Sequence, residues 1–140
     1  MQKEHEEMMR ADFDRYTAAA HKWQQAAERG EVESLDALAA ERDQVGDRWA
    51  RGPHAEHWGF LNDALDDWKR SPEAMIRLVD DMRHNGQGAT TIQARSLVQA
   101  GATAAEHNPK IRDRVMVAFA PAEQQSAART AADRGIERSR

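Results

Sequence analysis

The sequence predicts an all-α fold, an antiparallel helical bundle of about five to six helices with a frayed, arginine-containing C-terminal tail. Three observations lead there. Apolar residues recur in steps of three and four through the first half of the chain. Glycines and prolines punctuate these stripes about one helix length apart. No stretch alternates with period two for long enough to be a strand.

The first helix is carried by Met9, Phe13, Tyr16, Ala20, Trp23 and Ala27, which share one face, and Gly30 follows it. Leu35, Leu38, Val45 and Trp49 make the second stripe, with Arg42 at its one polar step, before Gly52 and Pro53. Trp58, Leu61, Leu65 and Trp68 make the third. Ser71, Pro72 and Glu73 then give a strong helix start, with a capping hydroxyl, a proline at the first helical position and an acid in the first turn. Met75, Leu78, Val79 and Met82 fill the fourth helix, which Asn85 and Gly86 end.

The second half is less regular. Ile92, Leu97 and Val98 predict a fifth helix ended by Gly101, with Thr103 starting a short turn before Asn108 and Pro109. Ile111, Val115, Met116 and Phe119 make one more amphipathic helix, closed before Pro121, whose stripe docks on the bundle. Residues 1–120 therefore read as the bundle domain and 121–140 as an Ala/Arg-rich C-terminal helix or disordered tail. Ala122, Ala127, Ala128, Ala131 and Ala132 favour helix but have little to bury.

Short connections make neighbouring helices antiparallel. Trp49 and Trp58 are expected at one end of the bundle and Trp23 with Trp68 at the other, roughly 15 Å away at about 1.5 Å per residue. A place in the core accounts for all four. An exposed tryptophan would instead mark a partner or ligand site.

Core formers are sparse. Val, Ile, Leu and Phe together number 19 of 140 residues, below the roughly 20% at which disorder becomes a concern. The formal net charge is only -4, so self-repulsion is weak and alanine, methionine and tryptophan must fill the core. The expectation is a slender bundle of marginal stability, supported by another protein or by self-association into a homo-oligomer. There is no cysteine, which excludes disulfides, thiolate chemistry and cysteine zinc sites. The start of the chain, with Lys3, Glu4, His5, Glu6 and Glu7, lacks the apolar core of a signal peptide, and no apolar run is long enough to span a membrane. A cytoplasmic, non-membrane protein is expected.

Charge is uneven. Residues 1–70 hold 16 acids and 10 bases, a net of -6, and residues 71–140 hold 8 acids and 10 bases, a net of +2. No helix carries a basic stripe, and Asp113 interrupts Lys110, Arg112 and Arg114, so nucleic-acid binding is not expected.

The residues with catalytic or ligating potential form no complete motif. The loop from His84 to Thr91 has two glycines ahead of a helix, a place where backbone N–H groups can hold an anion, but it lacks the lysine and preceding strand of a Walker loop. A helix C-cap followed by a link is the simpler account. His54 and His57, three apart, share a helix face where a metal could bridge them, yet the second histidine of an H-E-x-x-H arrangement is missing. Asp81 and His84 sit in a last helical turn, where a histidine complements the helix dipole. His5, His21 and His107 have no partner at ligand spacing and read as surface residues. Asp63, Asp66 and Asp67 resemble a magnesium-binding carboxylate cluster in spacing, but Lys69 and Arg70 neutralise them on what reads as a solvated face. No cofactor and no metal is expected.

What remains is a non-enzymatic helical protein-interaction module. Arg129, Arg134, Arg138 and Arg140 are the candidate interaction residues. Their spacing resembles the basic C-terminal signals of proteins exported by type IV secretion, over about a dozen residues. A mobile-element accessory protein fits an interaction module with an acidic first half and a basic tail: a secretion-recognition domain, an inhibitor or an immunity protein. The alternative is a cryptic metal-dependent hydrolase using the Asp63, Asp66 and Asp67 cluster with His54 and His57.

Overall fold

The computed structural model describes residues 1–86 and 90–118, and within them the chain forms six α-helices and no strand. They are α1 (Lys3–Arg29), α2 (Val32–Ala50), α3 (Ala55–Arg70), α4 (Pro72–His84), α5 (Ile92–His107) and α6 (Pro109–Ala118). Phe119, the proposed boundary at residue 120 and the alanine-rich tail lie outside the described residues, as do Gln87, Gly88 and Ala89. No helix among the described residues is long and apolar enough to cross a membrane.

α1 and α2 form an antiparallel hairpin. Gly30 turns the chain in the left-handed region (φ 72°), where a side chain would be strained, and its N–H closes on the carbonyls of Ala26 and Ala27. α1 has 27 residues, about 40 Å at 1.5 Å per residue, so it outruns the helices it packs on. Its first half enters the core through Met9 and Phe13, both fully buried. Further along, Tyr16, Ala20 and Trp23 are half-buried and Ala27 is exposed, because there α1 faces mainly α2 and buries Ala19 and Ala26 instead. In α2 only Val45 and Trp49 are buried, and Leu35 and Leu38 are half-buried.

The predicted pairing of Trp49 with Trp58 is present. Their rings stack at 6.1 Å between centroids, 13° from parallel. Phe13 and Tyr16 approach Trp58 edge-on at 5.8 and 5.3 Å, the arrangement ring quadrupoles favour. Gly46 makes room for Tyr16, since a Cβ there would lie 3.0 Å from the tyrosine Cε2.

Trp23 and Trp68 sit on segments that line one cleft, toward the end expected, but the two indoles face different neighbours. Trp23 lies under the Arg42 guanidinium, 5.8 Å from its ring centroid, as part of the hairpin. Trp68 is buried against α5, where its Nε1 donates to the Leu97 carbonyl at 2.9 Å. Gly101 explains this arrangement and corrects a boundary. It does not end the fifth helix but lies inside α5, as does Thr103. A Cβ on Gly101 would meet Trp68 Cζ2 at 2.7 Å, so the glycine serves packing rather than termination. Around it Ala94, Ala100, Ala104 and Ala105 are buried, and this small-residue face lets α3 come close despite the sparse core.

α5 keeps to simple alternation, which gives a fifth helix the direction of the first. The pairs Glu6–Arg95, Arg10–Gln99 and His21–His107 advance together along both helices, so α5 runs parallel to α1. α4 starts at Pro72 as expected, but the Ser71 hydroxyl makes no capping bond. Thr91 does cap α5, accepting from the Ala94 N–H at 3.0 Å. Met75 and Val79 are buried in α4, whereas Leu78 is 44% exposed. α6 docks through Ile111 and, in part, Val115.

Candidate functional site

The parallel register of α1 and α5 brings polar side chains one turn apart on each helix into a ladder. Glu6 is buried and accepts from Arg95 Nε at 3.0 Å, with Arg95 Nη2 on the same carboxylate. One turn on, Arg10 donates to Gln99 Oε1 at 2.9 Å and to the Ile92 carbonyl at 3.3 Å. Gln99 Nε2 returns a bond to the Arg10 carbonyl at 2.9 Å and reaches Asp14 Oδ1 at 3.1 Å. The hydrogen bond from Arg95 holds the Glu6 carboxyl below its ordinary range, against the opposing effect of burial, and Glu6 in turn raises Arg95. Charge-assisted hydrogen bonds of this kind tie α1 to α5.

A second buried carboxylate secures α1 to α2. Asp12 Oδ2 accepts from Trp49 Nε1 at 2.8 Å and from Arg48 Nη1 at 3.3 Å, and Arg15 Nη1 lies 3.7 Å from Oδ1.

Histidines form two further links to α1. The rings of His21 and His107 stack at 4.0 Å between centroids, 4° from parallel. His5 and His54 meet at 5.1 Å, and Trp49 lies 6.2 Å from His54. His5 is exposed, as expected of a surface residue, and His21 and His107 are half-buried; their ring contacts are with distant segments, out of reach of any spacing rule. Burial, then His5, the N-terminal amine and His57, hold His54 below the ordinary imidazole range. His107 is lowered by burial, then by His21 and Lys69, with Glu106 opposing. His84 is raised by Asp80, whose carbonyl accepts from its Nδ1, in keeping with a histidine at a helix C-terminus.

His21 and His107 also line a cleft of about 590 Å³ between α1, α3 and α5. Its apolar floor is Ala20, Leu65 and Ala104, and its walls carry Lys69 against Glu28 and Asp66. A shallower groove of about 440 Å³ separates α4 from α6, where Ile76, Val117 and Ala118 are rimmed by Glu73, Asp113 and Arg114. Arg114 Nη1 bridges the two helices to Glu73 at 2.7 Å.

The candidate hydrolase residues are not assembled into one site. Asp63, Asp66 and Asp67 are all exposed on α3, while His54 and His57 stand at its opposite end. Among the described residues no group of three or more histidine, aspartate or glutamate side chains is placed to hold a metal. Arg129, Arg134, Arg138 and Arg140 lie outside the described residues. Comparison with protein-family models, curated proteins and solved structures finds no match to this chain.

Sequence reasoning missed the ladder and the histidine pairs. One signal for the ladder was present: Glu6, Arg10 and Asp14 repeat every four residues along one edge of α1 beside the Met9 and Phe13 stripe.

Proposed function

We propose that this chain is a non-enzymatic helical module that presents a surface to another protein. The observation that carries this reading is apolar surface left open on α6, where Val117 is 74% and Met116 64% exposed among the described residues. Val117 lies in the charged-rimmed groove against α4. An apolar centre with a rim of both signs is the usual anatomy of a protein contact. A role as a mobile-element accessory protein, whether a secretion-recognition domain, an inhibitor or an immunity protein, draws its support from the acidic first half and the arginine spacing of the C-terminal sequence.

Co-purification of the intact chain, a chain lacking residues 122–140 and a Val117→Asp variant tests this reading. A partner lost with Val117→Asp but kept without the tail assigns binding to the groove. A partner lost only with the tail assigns it to Arg129, Arg134, Arg138 and Arg140. Absence of a reproducible partner for the intact chain overturns the module.

A further inference from the structure

We propose that α1 is latched to the rest of the bundle by two histidine pairs, and that mild acid loosens α1 by placing positive charge on both members of each pair. Four of the six histidines in the chain take part. Each pair has one member on α1 and the other on a different element: His5 meets His54 at the start of α3, and His21 meets His107 at the end of α5. The pairs stand near opposite ends of the stretch over which α1 touches α3 and α5. The Glu6–Arg95 ladder lies between them.

The stacked His21–His107 rings and the tilted His5–His54 rings pack favourably while at least one ring of each pair is neutral. Two imidazolium rings 4.0 or 5.1 Å apart repel, and only a nearby anion relieves that repulsion. The surroundings supply little relief. His54 faces His5, the N-terminal amine and His57, all cationic when protonated. His107 faces His21 and Lys69, with Glu106 as the opposing acid on its own helix and Glu28 and Asp66 farther along the shared cleft. Burial first, and then these cationic neighbours, lower His54 and His107.

The sign is fixed by linkage. A histidine held below its unfolded value binds fewer protons folded than unfolded, so its contribution is intact at neutral pH. That contribution is lost as pH falls below about 6.5, the unperturbed histidine value. Glu6 titrates in the carboxylate range, lower still, so the ladder remains while the latches open. Asp12 keeps α1 and α2 together through Trp49, and the ladder keeps α1 on α5, so the loosening centres on the two histidine contacts.

Hydrogen exchange compared at neutral pH and at about pH 5, corrected for intrinsic rates, tests this on the full chain. The expected result is a loss of protection in α1 at least about tenfold larger than in α4. That difference disappears in a His21→Gln, His54→Gln double variant. Unchanged protection of α1, or the same loss in the double variant, overturns the proposal. Should that variant fail to fold, NMR titration of the wild-type imidazoles decides. His54 and His107 titrating below 6.5, with α1 amide shifts following them, supports the latches. Titration at 6.5 without movement of α1 contradicts them.

Discussion

The indole of Trp68 occupies the space that a side chain on Gly101 would need. A Cβ there would stand 2.7 Å from Cζ2 and 2.8 Å from Cε2, while the indole Nε1 is anchored to the Leu97 carbonyl one turn earlier in α5. Glycine inside a helix costs about 1 kcal/mol relative to alanine. Forcing atoms into a packed core costs typically 1–3 kcal/mol. The indole is held by its hydrogen bond and cannot swing aside cheaply, so the packing term is expected to dominate. Gly101→Ala should destabilise the protein by about 1 kcal/mol net. A lower urea midpoint at unchanged slope bears this out, and a raised midpoint shows that Trp68 yields.

Removing the acceptor from Trp49 should cost more than removing the donor. Asp12→Ala leaves the buried indole N–H and the Arg48 guanidinium without their carboxylate, a loss of about 1–3 kcal/mol. Trp49→Phe combined with Asp12→Ala should show a coupling energy above about 0.5 kcal/mol in a double-mutant cycle. Simple additivity would remove the bond from the account of hairpin stability.

Glu6 makes acid stability depend on α1. Its folded carboxyl is held below the ordinary carboxylate range by Arg95, so its contribution is complete above that range. It is lost as pH falls through the lowered folded value. Glu6→Gln should therefore destabilise by about 1–3 kcal/mol at neutral pH and converge with wild type once Glu6 is protonated in both the folded and the unfolded chain. Denaturation curves that stay parallel across the acid range would contradict the pairing.

The helices were legible because their signals are local. The stripe of Trp58, Leu61, Leu65 and Trp68 and the Ser71–Pro72 start need only a 3.6-residue period and a proline, and both stand where expected. Gly101 was misread because a glycine that ends a helix and one that admits an indole are identical in sequence, and the indole belongs to another helix. The histidine pairs and the link from Glu6 to Arg95 were hidden for the same reason, since 89 residues separate Glu6 from Arg95. Counting levels put Trp23 and Trp68 toward one end of the bundle, and the segments that carry them do line one cleft. Depth along a helix says nothing about which neighbour a side chain faces, and Trp23 faces α2.

Divalent ions separate the module from the hydrolase alternative. A site on Asp63, Asp66 or Asp67 saturated at 100 times its Kd would raise stability by about 2.7 kcal/mol. The expected result is an unchanged melting midpoint in millimolar Mg²⁺ or Zn²⁺. A rise abolished by Asp63→Ala would restore the hydrolase reading.

The central claim is that open apolar surface on α6 meets another protein, and site-specific photo-crosslinking in the native cell tests it most directly. A photoreactive residue at Val117 is compared with one at Asp36, an exposed polar position on α2. The account predicts one defined protein adduct at Val117 and none at Asp36. Equal labelling at both positions, or no adduct at Val117, would contradict it.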